Sequence, residues 1–251
     1  MTQTGGYPAL DAFRLIAAIL VIAIHTSPLS DISSAADFIL TRIIARIAVP
    51  FFFMTSGFFL FKDGPDKEKL KKFLKSTAVL YAVSIILYLP VNIYSGYFST
   101  DMLLPNIIKD LVFDGTFYHL WYLPAALSGG FIAWLLIDKL GSKKAAVIAL
   151  ALYVIGLLGD SYYGLTAQVP ALKCIYGHMS EIFDYTRNGL FFAPIFFVAG
   201  ALAQNIRISR LKSALIACGA FALMLLEGLL LHRAQYQRHD SMYIMLSLIH
   251  I

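Results

Sequence analysis

Long apolar runs, each bounded by turn residues and charges, recur along the chain from Ala9 to the C-terminus. A helix needs about 20 apolar residues to cross a bilayer, and these runs predict such helices at 9–29, 38–61, 74–94, 119–138, 144–160, 189–205 and 213–232. An eighth opens near Met242 and is cut short by the end of the sequence. The predicted fold is therefore all-α: a polytopic transmembrane helix bundle of seven complete spans plus a truncated eighth, in one domain over residues 1–251. The first run is not a cleavable leader, because no Lys or Arg precedes it, Arg14 lies inside it and no small-residue cleavage site follows.

Composition excludes the soluble alternatives. Of the 251 residues, 59% are apolar and 14% charged, against about 45–50% and 25% in soluble domains. The basic residues are unevenly placed. Three alternate connections, Lys62 to Lys75, Lys139 to Lys144 and Arg207 to Lys212, hold twelve Lys and Arg, and the opposite connections hold five. By the positive-inside rule the N-terminus and the lysine-rich loop are cytoplasmic, so the net charge of +5 reads as a topology signal and not as a nucleic-acid surface. Cys174 and Cys218 have neither metal-ligand spacing nor a plausible disulfide geometry, and no metal is expected.

Candidate chemistry lies in ionisable groups placed in apolar runs, where each costs about 2.5–3.5 kcal/mol on insertion scales and faces an interior or a cavity. The second span carries Arg42 and Arg46, four residues apart and so on one helix face. Pro50 cannot donate to the carbonyl of Arg46 and should bend the helix there, and Ser56-Gly57 offers a notch for close helix approach. Either arginine also has a plain alternative, snorkelling to the outer interface. In the first span Arg14 and His25 are eleven residues apart, within about 20° of one face and separated by roughly 16 Å. They are expected to look into one polar chamber. Arg14 suits an anionic group, and His25 is the side chain able to take a proton from an alcohol. Glu227, in the seventh span, has no partner that the sequence identifies.

The Arg-x10-His spacing from Arg14 to His25, with Leu10-Asp11-Ala12-Phe13 before it, is one landmark. Arg46-Ile47-Ala48-Val49-Pro50-Phe51-Phe52-Phe53 with Ser56-Gly57-Phe58 is a second, and His119-Leu120-Trp121-Tyr122-Leu123-Pro124 a third. In this order they resemble the membrane acyltransferase 3 family. The resemblance covers residues 9–138 well, and beyond that rests mainly on helix count and on Tyr185-Thr186-Arg187-Asn188-Gly189-Leu190-Phe191-Phe192. Within the family, Asp11 to His25, Phe117 to Pro124 and Tyr185 to Phe192 are most similar to the membrane region of serine racemases from glycopeptide-resistance clusters, where a soluble racemase domain using pyridoxal phosphate follows. The terminal Leu246-Ser247-Leu248-Ile249-His250-Ile251 also matches what a common sequencing-library transposon end encodes in frame, so the sequence is read as a C-terminally truncated fragment and His250 is given no role.

The resemblance implies about ten membrane helices in a complete member and transfer of an acyl group, commonly acetyl from acetyl-CoA, to a sugar hydroxyl of an envelope glycan or a similar acceptor. It implies His25 as catalytic base and Arg14 as its charged partner. With these roles, Arg46 would stabilise the oxyanion, Lys71, Lys72 and Lys75 would meet the phosphates of acyl-CoA as co-substrate, and His119, Trp121 and Arg42 would hold the acceptor. Acyl-CoA would be the only cofactor and none is bound permanently; membrane lipid is the other expected partner, and the location is the bacterial cytoplasmic membrane. The family often has arginines three apart where Lys72 and Lys75 stand, so the planar fork is lost here while the charge is kept. Plain readings stand beside these: Trp121 and Tyr122 as interfacial aromatics, the lysine run as a topology determinant binding anionic lipid, and Glu181, Asp184 and Arg187 as solvated loop residues. A competing class is a membrane region that takes up L-serine for a racemase, although neither broken helices nor inverted repeats are evident in the sequence.

Overall fold

The computed structural model describes residues 7–99, 103–117, 119–239 and 241–246, all helical or irregular, with no strand among them. Six helical segments are long and apolar enough to cross a membrane: Pro8–Thr26, Ser34–Leu60, Lys67–Tyr94, Tyr122–Leu140, Ser142–Gly159 and Leu211–Ala234. The stretch expected as a span at 189–205 forms only an 11-residue helix, Ala193–Ala203. At about 1.5 Å per residue this reaches roughly 16 Å, half a bilayer core. Asn188 closes the turn that leads into it, its Oδ1 accepting the N–H groups of Leu190 and Phe191, and Pro194 sits in the first turn where a missing N–H costs nothing. The irregular backbone before the helix is enclosed by protein, which is the condition for such backbone at membrane depth. The eighth segment is described as far as Leu246 and is irregular from Ser241 to Met245, and residues 247–251 lie outside the described ones.

In chain order the helices are α1 (Pro8–Thr26), α2 (Ser34–Phe38), α3 (Ala48–Leu60), α4 (Lys67–Tyr94), α5 (Leu103–Lys109), α6 (Tyr122–Leu140), α7 (Ser142–Gly159), α8 (Tyr163–Thr166), α9 (Pro170–Ile182), α10 (Ala193–Ala203) and α11 (Arg210–Ala234). The second span is not one regular helix. Between α2 and α3 it passes through a π turn, Ile39–Ile43, and a 3₁₀ turn, Ile44–Ile47. The break lies before Pro50, where the sequence had suggested only a bend, and a broken helix is present although none was legible in the residues.

The short α10 is the hub, packed on α3, α6 and α7. It meets α3 backbone to backbone: a Cβ on Gly57 would collide with the Phe197 carbonyl oxygen, and one on Gly200 with the Met54 carbonyl oxygen. The notch at Ser56-Gly57 is thus used for close approach. Around this crossing Phe53 stacks on Tyr122 at 4.8 Å between ring centroids and lies 5.6 Å from Phe197 and 6.5 Å from Trp121. The connections around 95–118 and 161–188 are also partly helical, since they carry α5, α8 and α9, and Cys174 falls in α9.

A candidate anion site beside two histidines

His25 occupies the last turn of α1, which ends where Ser27 adopts a left-handed conformation at φ 45°. Its ring lies 4.7 Å from that of His119, which in turn packs against Phe117 at 4.8 Å and Tyr88 at 5.5 Å. Burial lowers the pKa of His119 from its ordinary value. Beside the pair lies a cavity of about 290 Å³ that brings together His25, Arg42, Arg46, Arg187, Arg238 and His239. Arg42 comes from the π turn and Arg46 from the 3₁₀ turn, so both guanidiniums on this wall stand on the irregular stretch of the second span. π-bulges are frequent at functional sites, since the extra residue re-aims side chains.

Arg187, read from sequence as a solvated loop residue, is instead 9% exposed. Its guanidinium lies 5.0 Å from the Trp121 ring centroid and 4.3 Å from that of Tyr185, and Tyr185 packs on His239 at 4.6 Å. Trp121 is likewise buried and backs an arginine instead of lying in an interfacial belt. Glu181 is exposed near His178, and Asp184 accepts from Lys109 Nζ at 2.8 Å.

Behind the cavity, buried Asp160 accepts the N–H groups of Ser241 and Met242 at 2.8 and 3.0 Å and the Ser161 hydroxyl at 2.9 Å. Burial pushes its carboxyl up to about 6, and the Ser241 N–H and the charges of Arg187 and Arg46 restrain the rise. Glu227 performs a parallel task. It accepts from the Tyr162 hydroxyl and the Ile244 N–H, each at 2.7 Å, and from the Met245 N–H at 3.1 Å. The partner the sequence could not name is therefore mainly backbone, not an arginine. Tyr243, held through its carbonyl by the Tyr153 hydroxyl, donates its own hydroxyl to the Arg42 carbonyl at 2.8 Å. The π turn and the 241–246 segment thus fix each other.

Arg14 does not share this cavity. It pairs with Asp11 at 2.6 Å, lies over the Phe59 ring, and lines a separate cavity of about 600 Å³ with Lys69, Lys72, Ser56, Ser76 and Tyr122. The shared chamber expected for Arg14 and His25 is two chambers: roughly 16 Å of helix separates the two residues, and each lines its own cavity. The three lysines also divide. Lys71 and Lys75, four apart, face a groove against α6, whereas Lys72, rotated by 100°, faces Arg14. Sequence reasoning missed Arg238, His239 and Asp160; polar groups in connections or at the end of a span look ordinary until folding brings them together. Three carboxylates, Asp110, Asp114 and Asp184, also converge near Lys109.

Comparison with known proteins places this arrangement. No solved structure matches. An amino-acid racemase of Enterococcus faecalis is 52% identical over 248 residues, covering 98% of this chain and 35% of the relative. A second from the same organism is 38% identical over 246 residues, with 94% and 35% covered, and a serine/alanine racemase of Enterococcus gallinarum is 36% identical over 248, with 96% and 35%. The chain thus spans about a third of the length of these curated relatives. A family model described as an acyltransferase domain matches residues 7–250, and the chain therefore belongs to the acyltransferase 3 family of membrane proteins.

Proposed function

We propose that the chain is a membrane-bound O-acyltransferase of the bacterial cytoplasmic membrane, N-terminus cytoplasmic, moving an acyl group, acetyl in the simplest case, from acyl-CoA to a hydroxyl of an envelope glycan or a similar acceptor. The observation that carries this reading is the His25–His119 pair opening beside a cavity walled by arginines. His25 takes the proton of the acceptor hydroxyl as its oxygen attacks the thioester carbonyl. The negative charge that develops on the carbonyl oxygen is met by Arg46, a fixed cation in a dry site. Collapse expels the CoA thiolate, which regains the proton from the imidazolium. His119, Trp121 and Arg42 position the acceptor, Trp121 acting through Arg187. At the lysine-rich end Arg14 and Lys72 meet the donor phosphates, and Lys71 and Lys75 contribute through their field alone.

Membranes incubated with radiolabelled acetyl-CoA test this directly. Label should pass to an envelope acceptor and fall by about 10²-fold or more in His25→Ala, the range of a lost general base. Undiminished transfer in that variant would remove His25 from the chemistry.

A second reading is favoured by the broken second span: the chain as the membrane region of a serine racemase-type protein that takes up L-serine. Broken helices carry substrate sites in many transporters, and the arginine-walled cavity suits an amino-acid carboxylate. The names of the relatives fit this role. Accumulation of labelled L-serine in vesicles, abolished by Arg46→Ala and without label transfer from acetyl-CoA, would select it.

A further inference from the structure

Lys67, Lys71 and Lys75 lie at i, i+4 and i+8 on α4, one line of charge about 12 Å long. They rim a groove of about 730 Å³ separate from both cavities described above. Its walls are apolar, with Leu70, Leu74 and Ala78 from α4 facing Leu127 and Phe131 from α6. The single hydroxyl there, on Ser128, is committed to the Pro124 carbonyl at 2.7 Å. The far end is closed by Leu111 and Val112, whose segment is tied to α4 through the Tyr81 hydroxyl, which donates to the Asp110 and Leu111 carbonyls. Phe131, Leu111 and Val112 stay exposed, so the groove opens sideways to lipid. Among the described residues no carboxylate pairs with Lys67, Lys71 or Lys75; the nearby acid Asp63 is taken by Lys69, on the Arg14 side.

A file of cations at the membrane boundary above an apolar slot within the bilayer has the chemistry of one amphiphile. We propose that this groove is a binding site for an anionic phospholipid of the lysine-rich leaflet, its phosphate on Lys67, Lys71 and Lys75 and one acyl chain between α4 and α6. Membrane-surface lysines each add to the attraction for anionic lipid, and here three converge on one slot. The site requires neither the transfer nor the uptake reading, although under the former Lys71 and Lys75 also lend their field to the donor end.

The full chain in nanodiscs of equal parts phosphatidylglycerol and phosphatidylcholine, released for native mass spectrometry, provides the test. The wild type should retain phosphatidylglycerol in preference to phosphatidylcholine. Retention should fall by about 10²-fold in K67Q/K71Q/K75Q, where three attractions are lost together. Ala78→Phe, which fills the slot and leaves every charge in place, should lower it as well. K139Q/K143Q/K144Q, neutralising another basic connection, should not. Equal losses in the two triple variants would reduce the effect to general surface charge, and an unaffected Ala78→Phe would deny the slot; either overturns the proposal. So would displacement of the retained lipid by added acyl-CoA, which would make the groove a donor site.

Discussion

Arg187 shows how a cation survives enclosure in this protein. Its guanidinium is held between the faces of Trp121 and Tyr185, so part of the hydration it gives up is replaced by ring quadrupoles. A lysine keeps the charge but not the planar stacking. Arg187→Lys is therefore expected to weaken acceptor or substrate binding by about tenfold, from a cation–π contribution of about 0.5–2 kcal/mol, read as a raised KM with kcat little changed. Asp160 gives a pH prediction. Its carboxyl is raised from 3.8 to about 6, so the folded chain binds that proton more tightly than the unfolded chain. Stability then falls as pH rises from about 4 through about 6 and is regained on acidification. Melting at pH 7 and pH 5 should show a gain at the lower pH that is reduced in Asp160→Asn, which keeps an oxygen for the Ser241 and Met242 N–H groups; buried Asp114, also raised to about 6, supplies the part that remains. Arg14, Arg42, Arg46 and His25 were legible as candidates because each interrupts an apolar run. Arg187, Arg238 and Asp160 were not, since a charge in a connection or at the end of a span is ordinary and only tertiary folding turns it inward.

The crossing of α3 and α10 rests on two glycines rather than on large side chains. Gly200→Leu would drive a side chain into the Met54 carbonyl and the Phe58 N–H, and is expected to lower stability by about 1–3 kcal/mol or more, as overpacking does. Thermal unfolding in detergent would measure this. The double variant Gly57→Ala/Gly200→Ala should cost less than the sum of its parts, because one displacement of the helices relieves both contacts. Element boundaries in the sequence were readable where lipid surrounds a helix, since hydropathy reports the crossing; six of the predicted spans correspond to long helices. Hydropathy fails for α10 and for the second span. A half-length helix enclosed by protein is as apolar as a full crossing, and π and 3₁₀ turns leave the composition unchanged, so neither the short reach of the one nor the break in the other shows in the residues.

Across the molecule, two of the cavities gather positive charge along α1: a lysine and arginine cavity beside Arg14 and an arginine and histidine cavity beside His25. The bundle is held together between them by an aromatic layer in which Phe53 touches Tyr122, a wall of the first, and Trp121, which backs Arg187 at the second. On the proposed transfer reading, a donor gripped in the first cavity and an acceptor held in the second would be kept apart by these rings, and their reacting atoms would meet only when the layer yields. Turnover would then carry a barrier set by movement of this layer, with uncoupled hydrolysis of the thioester as the leak that the layer holds down. Phe53→Ala is expected to raise acetyl-CoA hydrolysis without acceptor relative to transfer, measured as free acetate against labelled acceptor in the same membranes.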